Sequence, residues 1–324
     1  MIDRIRLGKR IAGMRRQRGI SQTELAERLG VTSQAVSKWE CGNAIPDIEI
    51  LLALSHLFGV TINDMLEEHD LLADMTGRRR NRDGVTYFVP EEDKREYAAW
   101  AEAIRRERWI RQNWLASREQ NRLMDRIGAE IAARGGLILE IGAGPGGGFM
   151  PYVLKADPDA RMIISDMSPT VVREWKAWLD GALQSPVLYY AAMDFCRMPF
   201  ADGSIDVVAD RGGIANCIGD KAQALQEAFR VLKPGGMLVT MTGFITRETL
   251  ADLPERVQNV LKEKRPDVLA DLYAETVMAG FSRIDSEICG GWNTDDDESG
   301  ITDLARSLGV DLHFTGYVRR CMKE

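Results

Sequence analysis

The chain has 324 residues, 45% of them hydrophobic and 28% charged, with 42 Lys and Arg against 49 Asp and Glu and a formal charge of −7. Those proportions suit a folded globular protein of about two domains and exclude a chain that is disordered or collagen-like over most of its length. No run approaches the ~18 consecutive apolar residues of a membrane span, and the N-terminus, MIDRIRLGKRIAGMRRQRG, is too charged for the apolar centre of a secretory signal.

Charge is unevenly spread. Residues 1–66 hold nine Lys and Arg against seven Asp and Glu, a net of +2, which leaves −9 for the rest. A basic end on an acidic protein suggests a module that faces nucleic acid, although a solvated helix face gives the same count. Ile5, Leu7, Ile11 and Met14 recur at helical spacing and predict a helix over 4–18, stopped by Gly19. Ser21 and Glu24 form the sequence of a capping box for the helix that ends at Gly30. Thr32 caps SQAVSKWE, Pro46-Asp47 opens DIEILLALSHLFG, and VTINDML reads as a fifth helix. Five short helices in this space, with Ala26 and Gly30 expected to permit close packing, describe a helix-turn-helix domain.

The run SQTELAERLGVTSQAVSKWECGNAIPDIEILLALSHLFGVTINDML resembles the Cro/CI phage-repressor family of helix-turn-helix domains. The resemblance makes Ser33 to Glu40 the recognition helix, lying in the major groove of duplex DNA. It places Ser33, Gln34, Ser37 and Lys38 at bases or nearby phosphates, and gives Gln22 a phosphate contact. Val36 and Trp39 fall on the inner face. Arg15 and Glu40 match a family ion pair.

Residues 69–90 are polar, carry Arg78, Arg79, Arg80 and Arg82, and show no apolar periodicity, so they read as a linker. Residues 91–134 are rich in helix-forming residues and hold Tyr97, Trp100, Trp109 and Trp114. Core packing explains most of these rings. A lid is the functional reading, with at least one of Tyr97, Trp109, Asn113 and Trp114 lining a ligand pocket; a dimer contact is the other.

From residue 135 to 324 the pattern changes. LILEIGAG, RMIISD, VLYYAAMD, SIDVVAD and GMLVTMTG are strand-like runs at helix-sized intervals, which predicts a doubly wound parallel sheet binding its ligand at the strands' carboxyl ends. The loop Glu140-Ile-Gly142-Ala143-Gly144-Pro-Gly146 follows the first of them, Asp166 ends the second, Met193-Asp194-Phe195 follows the third, and RVLKPGGMLV precedes the fifth. Together these resemble the class I S-adenosylmethionine-dependent methyltransferases, with a Rossmann-like α/β fold.

The resemblance implies S-adenosylmethionine or S-adenosylhomocysteine as cofactor. It assigns the glycines (Gly142, Gly144, Gly146) and Ala143 to the methionine part, Asp166 to both ribose hydroxyls, Met167 to the adenine face and Asp194 to the adenine amine, with a contact from Phe195. Glu140 orders the loop and reaches the ammonium through water, and Asp210 and Arg211 lie beside the methyl donor. The fourth strand is followed by DRGGIANC rather than a DPPY-like motif, and no Pro-Cys nucleophile is present, which argues against a DNA methyltransferase. The five cysteines (Cys41, Cys196, Cys217, Cys289, Cys321) are odd in number, far apart and without a CxxC pair, so neither a zinc site nor a disulfide framework is expected and a reducing cytoplasm is the expected compartment. Cys217 reads as core rather than nucleophile.

Residues 244–278 form a helical insertion, the last two strands an antiparallel pair, the acidic run Asp295 to Glu298 a solvated loop, and His313 a structural residue. No general base is evident. The expected protein is a cytoplasmic, dimeric transcriptional regulator with partners in duplex DNA and a small-molecule methyl acceptor. Two alternatives remain: a sensor of S-adenosylmethionine without turnover, or a nucleic-acid methyltransferase recruited by the first domain. Coupling between the domains is expected to run through helices 91–126.

Overall fold

In the computed structural model, residues 4–60, 62–66, 70–95, 97–98, 102, 105, 108–183, 188–217, 219–294 and 300–324 are described. Trp100 and the acidic run Asp295 to Glu298 lie outside them. The first five helices are α1 (Arg4–Gln17), α2 (Gln22–Leu29), α3 (Ser33–Glu40), α4 (Ile48–Phe58) and α5 (Ile62–Leu66). Each of α2, α3 and α4 begins as its sequence predicts. The Ser21 hydroxyl accepts from Glu24 N, and the Glu24 carboxylate accepts from Ser21 N at 2.6 Å. Thr32 and Asp47 cap α3 and α4 with a single side-chain bond each, accepting from Ala35 N and Ile50 N. Leu7, Ile11, Leu25, Val36, Trp39, Leu51, Leu54 and Phe58 close one small core.

The close approach expected of Gly30 occurs elsewhere. Gly30 ends α2 in the left-handed conformation, and a Cβ there would touch nothing. Gly8 is the contact glycine: a Cβ on it would lie 2.0 Å from the Trp39 carbonyl oxygen, so α1 crosses α3 only because position 8 has none.

Residues 70–90, within the expected linker 69–90, are not the structureless segment that their polarity suggests. Helix α6 (Leu71–Thr76) is capped by Asp70, and Leu72 is buried among Leu137, Leu139, Ile163 and Phe200 of the α/β part. Strand β1 (Thr86–Tyr87) pairs in parallel with β4 (Leu188–Ala192) at the sheet edge. Short polar stretches with one or two buried apolar residues carry no period, and that is why the sequence hid both elements.

The sheet has eight strands in the order β1-β4-β3-β2-β5-β6-β8-β7. Strands β2 (Leu137–Ile141), β3 (Arg161–Asp166), β4, β5 (Ile205–Arg211) and β6 (Leu232–Phe244) are parallel. The last two, β7 (Arg283–Asn293) and β8 (His313–Met322), pair antiparallel, with β8 inserted between β6 and β7. The central strands are buried on both faces, which accounts for their continuous apolar runs. One face packs on α7 (Trp109–Arg118), α8 (Arg122–Arg134), α9 (Met150–Ala156) and α10 (Pro169–Ala182). The other packs on α11 (Lys221–Val231) and the turn at 195–200. The insertion after β6 adds α12 (Arg247–Ala251), α13 (Glu255–Lys264) and α14 (Tyr273–Met278); with α15 (Gly300–Leu308) it closes a satellite core around Val257, Leu261 and Phe314.

Candidate functional site

The carboxyl ends of β2, β3, β4 and β5 open onto one cavity of about 570 Å³. Its floor is the loop from Gly142 to Gly148, where backbone rather than side chain faces the space. Gly142 has φ +58, and a Cβ on it would lie 3.0 Å from Gly213 Cα. Gly148 has φ +59, and a Cβ there would fall 1.7 Å from Glu140 Oε1. The loop is fastened from behind: the buried Trp175 Nε1–H donates to Gly144 O at 2.7 Å, and Glu140 Oε1 accepts from Phe149 N at 3.0 Å.

Asp166, at the end of β3, lines the cavity with 6% of its surface exposed. Its two oxygens accept from Gly144 N at 2.9 Å and Ser168 N at 2.8 Å. Burial outweighs these bonds and raises its carboxyl to about 6. Beside it lie Met167, Asp194 and Phe195; Asp194 also caps the turn that follows, accepting from Cys196 N at 2.9 Å.

Of the residues expected to hold a cofactor, Gly142, Ala143, Gly144, Gly146, Asp166, Met167, Asp194, Phe195 and Arg211 line this cavity. Glu140 and Asp210 do not. Glu140 is fully buried behind the loop, its Oε2 has no partner, and desolvation pushes its carboxyl well above the ordinary range. Asp210 is equally buried and accepts from Ile214 N at 3.0 Å and Thr240 Oγ1 at 2.6 Å, with its carboxyl raised to about 6 by burial. Both carboxylates shape the loops from below, because each is the penultimate residue of its strand and lies under the loop rather than in it.

Lys94 and Tyr97 reach the cavity from before α7. Of the four residues proposed as lid, Tyr97 lines it, and Asn113 Nδ2–H donates to Pro145 O at 3.1 Å, gripping the glycine loop. Trp114 is buried edge-on against Trp175, so it supports the loop through the core. Asp93 accepts from the Ser168 and Thr170 hydroxyls, which joins this segment to the start of α10.

Gly212, Gly213, Asn216, Cys217 and Gly219 form a wall that the sequence reading left unassigned. The paired glycines directly after the fourth parallel strand were a usable signal for it; Lys94 had none. Cys217, expected in the core, is half-buried in this wall, and its Sγ lies 3.5 Å from that of the buried Cys196. The cysteines are therefore not all apart, as their spacing suggested.

A second cavity of about 700 Å³ shares Arg211, Gly212 and Asn216 with the first and continues under the insertion, between Lys221, Trp292 and Phe314. Arg265 and Asp267 face it as an ion pair at 2.9 Å. His313 bonds Asn293 on the neighbouring strand at 2.8 Å.

On the first domain, Ser33, Gln34 and Lys38 are exposed and Ser37 is half-exposed on one face of α3, while Val36 and Trp39 are buried behind them. Arg15 grips Glu40 with two bonds, at 2.7 and 3.0 Å. The Gln22 side chain, expected at a phosphate, donates instead to Glu40 Oε2 at 2.7 Å. Arg16 pairs with Asp159 at 3.3 Å, and Lys9 donates to Leu183 O at 3.4 Å. Asp159 and Leu183 precede β3 and β4, at the end of the sheet opposite the cavity. These contacts between domains thus do not pass through helices 91–126. No described helix is long and apolar enough to cross a membrane.

Residues 11–65 match a family described as "Helix-turn-helix", and residues 139–240 match one described as "Methyltransferase domain". The ubiquinone/menaquinone biosynthesis C-methyltransferase UbiE of Cereibacter sphaeroides is 31% identical over 131 residues, which is 40% of this chain and 45% of that protein. The HTH-type transcriptional activator BcrR of Enterococcus faecalis is 36% identical over 64 residues, 20% of this chain and 31% of that protein. The chain thus spans less than half the length of either relative. Among solved structures, phosphoethanolamine N-methyltransferase 2 of Haemonchus contortus is 17% identical with a TM-score of 0.44, over 61% of this chain and 53% of that one.

Proposed function

We propose that this chain, a Cro/CI-type helix-turn-helix domain fused to a class I S-adenosylmethionine-dependent methyltransferase domain, binds duplex DNA and methylates a small molecule. The observation that carries the reading is the pair of adjoining cavities. One is floored by the glycine-rich loop 142–148 and faced by the Asp166 carboxylate; the other opens beside it under the helical insertion.

The donor set fits the cofactor. Side-chain-free glycines accept a bulky amino-acid end, Asp166 suits a ribose diol, and Asp194 with Met167 and Phe195 suits an adenine ring. When bound, S-adenosylmethionine supplies a methyl group on a cationic sulfur. Glu140 and Asp210 position the two loops from below. Arg211, Gly212 and Asn216 line both cavities, so an acceptor held in the second would lie beside the first. Proximity and orientation carry such a transfer when the acceptor is already nucleophilic, without a dedicated base. At the other end of the chain, the exposed face Ser33, Gln34, Ser37, Lys38 meets the major groove, and a two-fold dimer matches a two-fold operator. The segment 71–90 belongs with the methyltransferase unit, since its Leu72 and β1 complete that unit's core and sheet.

The test is formation of S-adenosylhomocysteine with time when protein and S-adenosylmethionine meet an extract of cell metabolites, beside selection of a DNA site by the full chain. Product together with a selected site supports the reading. Cofactor binding with no product in any extract overturns the enzymatic half and leaves a sensor.

A further inference from the structure

We propose that Cys196 and Cys217 are a redox pair that closes to a disulfide across the wall of the cofactor cavity when a hydroperoxide reaches Cys217. The sequence separates these residues by 21 positions, but the fold sets their sulfurs 3.5 Å apart. Cys196 follows Phe195 on the turn after β4, and Cys217 lies on the Gly212–Gly219 wall; both segments line the same cavity. A disulfide needs its sulfurs at about 2.05 Å, so they must approach by about 1.5 Å. Glycines on either side, Gly212 at φ +82 and Gly219, give the Cys217 segment a backbone able to make that shift.

The two thiols differ in a way that assigns their roles. Cys217 is half-buried at the cavity, where a peroxide can reach it, and Gly219 N–H donates to its sulfur at 3.1 Å. Cys196 is 7% exposed, its thiol is turned toward the Asp220 carbonyl, and burial pushes its pKa well above that of a free thiol. Cys217 is therefore the residue that meets the oxidant and Cys196 the one that resolves it. The Cys217 thiolate attacks the peroxide, the S–O bond forms as the O–O bond breaks, and the departing oxide takes a proton, leaving a sulfenic acid. Cys196 sulfur then attacks Cys217 sulfur; the S–S bond forms, the S–O bond breaks, and the hydroxyl leaves as water with the Cys196 proton. Two thiols and one hydroperoxide give one disulfide, one alcohol or water, and one water. A metal is a poorer occupant, because no cluster of three His, Cys, Asp or Glu that could hold one occurs among the described residues.

The full chain, reduced and freed of reductant, is treated with hydrogen peroxide, alkylated and analysed by peptide mass spectrometry. The expected product is a peptide pair joined through Cys196 and Cys217, lost on addition of dithiothreitol. Cys217→Ala abolishes it. Cys196→Ser stops at a sulfenic acid on Cys217, captured by a 1,3-dione such as dimedone. The proposal fails if wild-type Cys217 advances to sulfinic acid while Cys196 stays open to alkylation after unfolding, or if the linked pair is no more abundant than pairings with the exposed Cys41.

Discussion

Replacing Asp166 by Asn separates what this residue does for folding from what it does for the cofactor. The carboxyl is held at about 6 against an ordinary 3.8 by burial. At 1.36 kcal/mol per pKa unit, its charge costs the empty protein about 3 kcal/mol at neutral pH. A folded value above the unfolded one means that the native state binds protons that the unfolded state lacks. The ligand-free protein therefore loses this stability as pH rises from about 4 to about 6, and the loss persists above. An amide removes that cost. It also has one acceptor oxygen where Gly144 N and Ser168 N now use two, and leaving one such donor unpaired costs about 1–3 kcal/mol. The two effects oppose, so Asp166→Asn should melt close to wild type. Binding has no such offset. A charge-assisted bond to a ribose hydroxyl contributes about 1.5–3 kcal/mol, so loss of one raises the Kd for S-adenosylmethionine about ten- to a hundredfold. Calorimetry at pH 7.5 measures this. For the wild type, Kd should also rise about tenfold per unit below pH 6, because binding must then expel the Asp166 proton; the Asn variant should lack that slope. A Kd within twofold of wild type, or an unchanged acid slope in the variant, refutes the assignment.

Gly148→Ala puts a Cβ 1.7 Å from Glu140 Oε1 at φ +59 and should cost about 2–4 kcal/mol in urea unfolding, with the cofactor cavity lost before the fold. Glu40→Ala removes the carboxylate partner of the Arg15 guanidinium, whose side chain is only 12% exposed and which keeps its bond to Ile20 O, and should destabilise the first domain by about 3 kcal/mol in chemical denaturation. Gln34→Ala with Lys38→Ala, both on exposed positions, should leave the melting temperature unchanged while weakening a selected operator by about 1–3 kcal/mol for each good base contact; retained affinity in a gel-shift titration refutes the recognition face. Light scattering at micromolar concentration should give the mass of a dimer, and a monomer both with and without DNA removes the two-fold arrangement.

Local chemistry was readable wherever a few adjacent residues decide the outcome. The caps at Ser21, Thr32 and Asp47 behave as written because a hydroxyl or carboxylate reaches an amide only three residues on. The parallel strands were visible because burial on both faces demands unbroken apolar runs, and the glycine loop because it must follow the first of them. Side-chain direction was less legible, even where the expected role holds, as for Glu140, which orders the loop through Phe149 N. Glu140 and Asp210 belong to the expected motifs, yet each points under its loop. Gln22 turns to Glu40, since a buried carboxylate offers a firmer partner than solvent.

The sequence by itself determined two domains of different kind, the order of the strands along the chain, and the glycine and aspartate positions around one cavity. Each of those rests on interactions within a few residues or on a periodicity that burial imposes. Only the tertiary structure decided that Leu72 and β1 complete the second domain, that β8 slips between β6 and β7, that Gly8 rather than Gly30 allows a close crossing, and that Cys196 and Cys217 meet. Those contacts join residues far apart in the chain. Their pairing depends on how whole elements pack, and it leaves no local period, cap or spacing from which to read it.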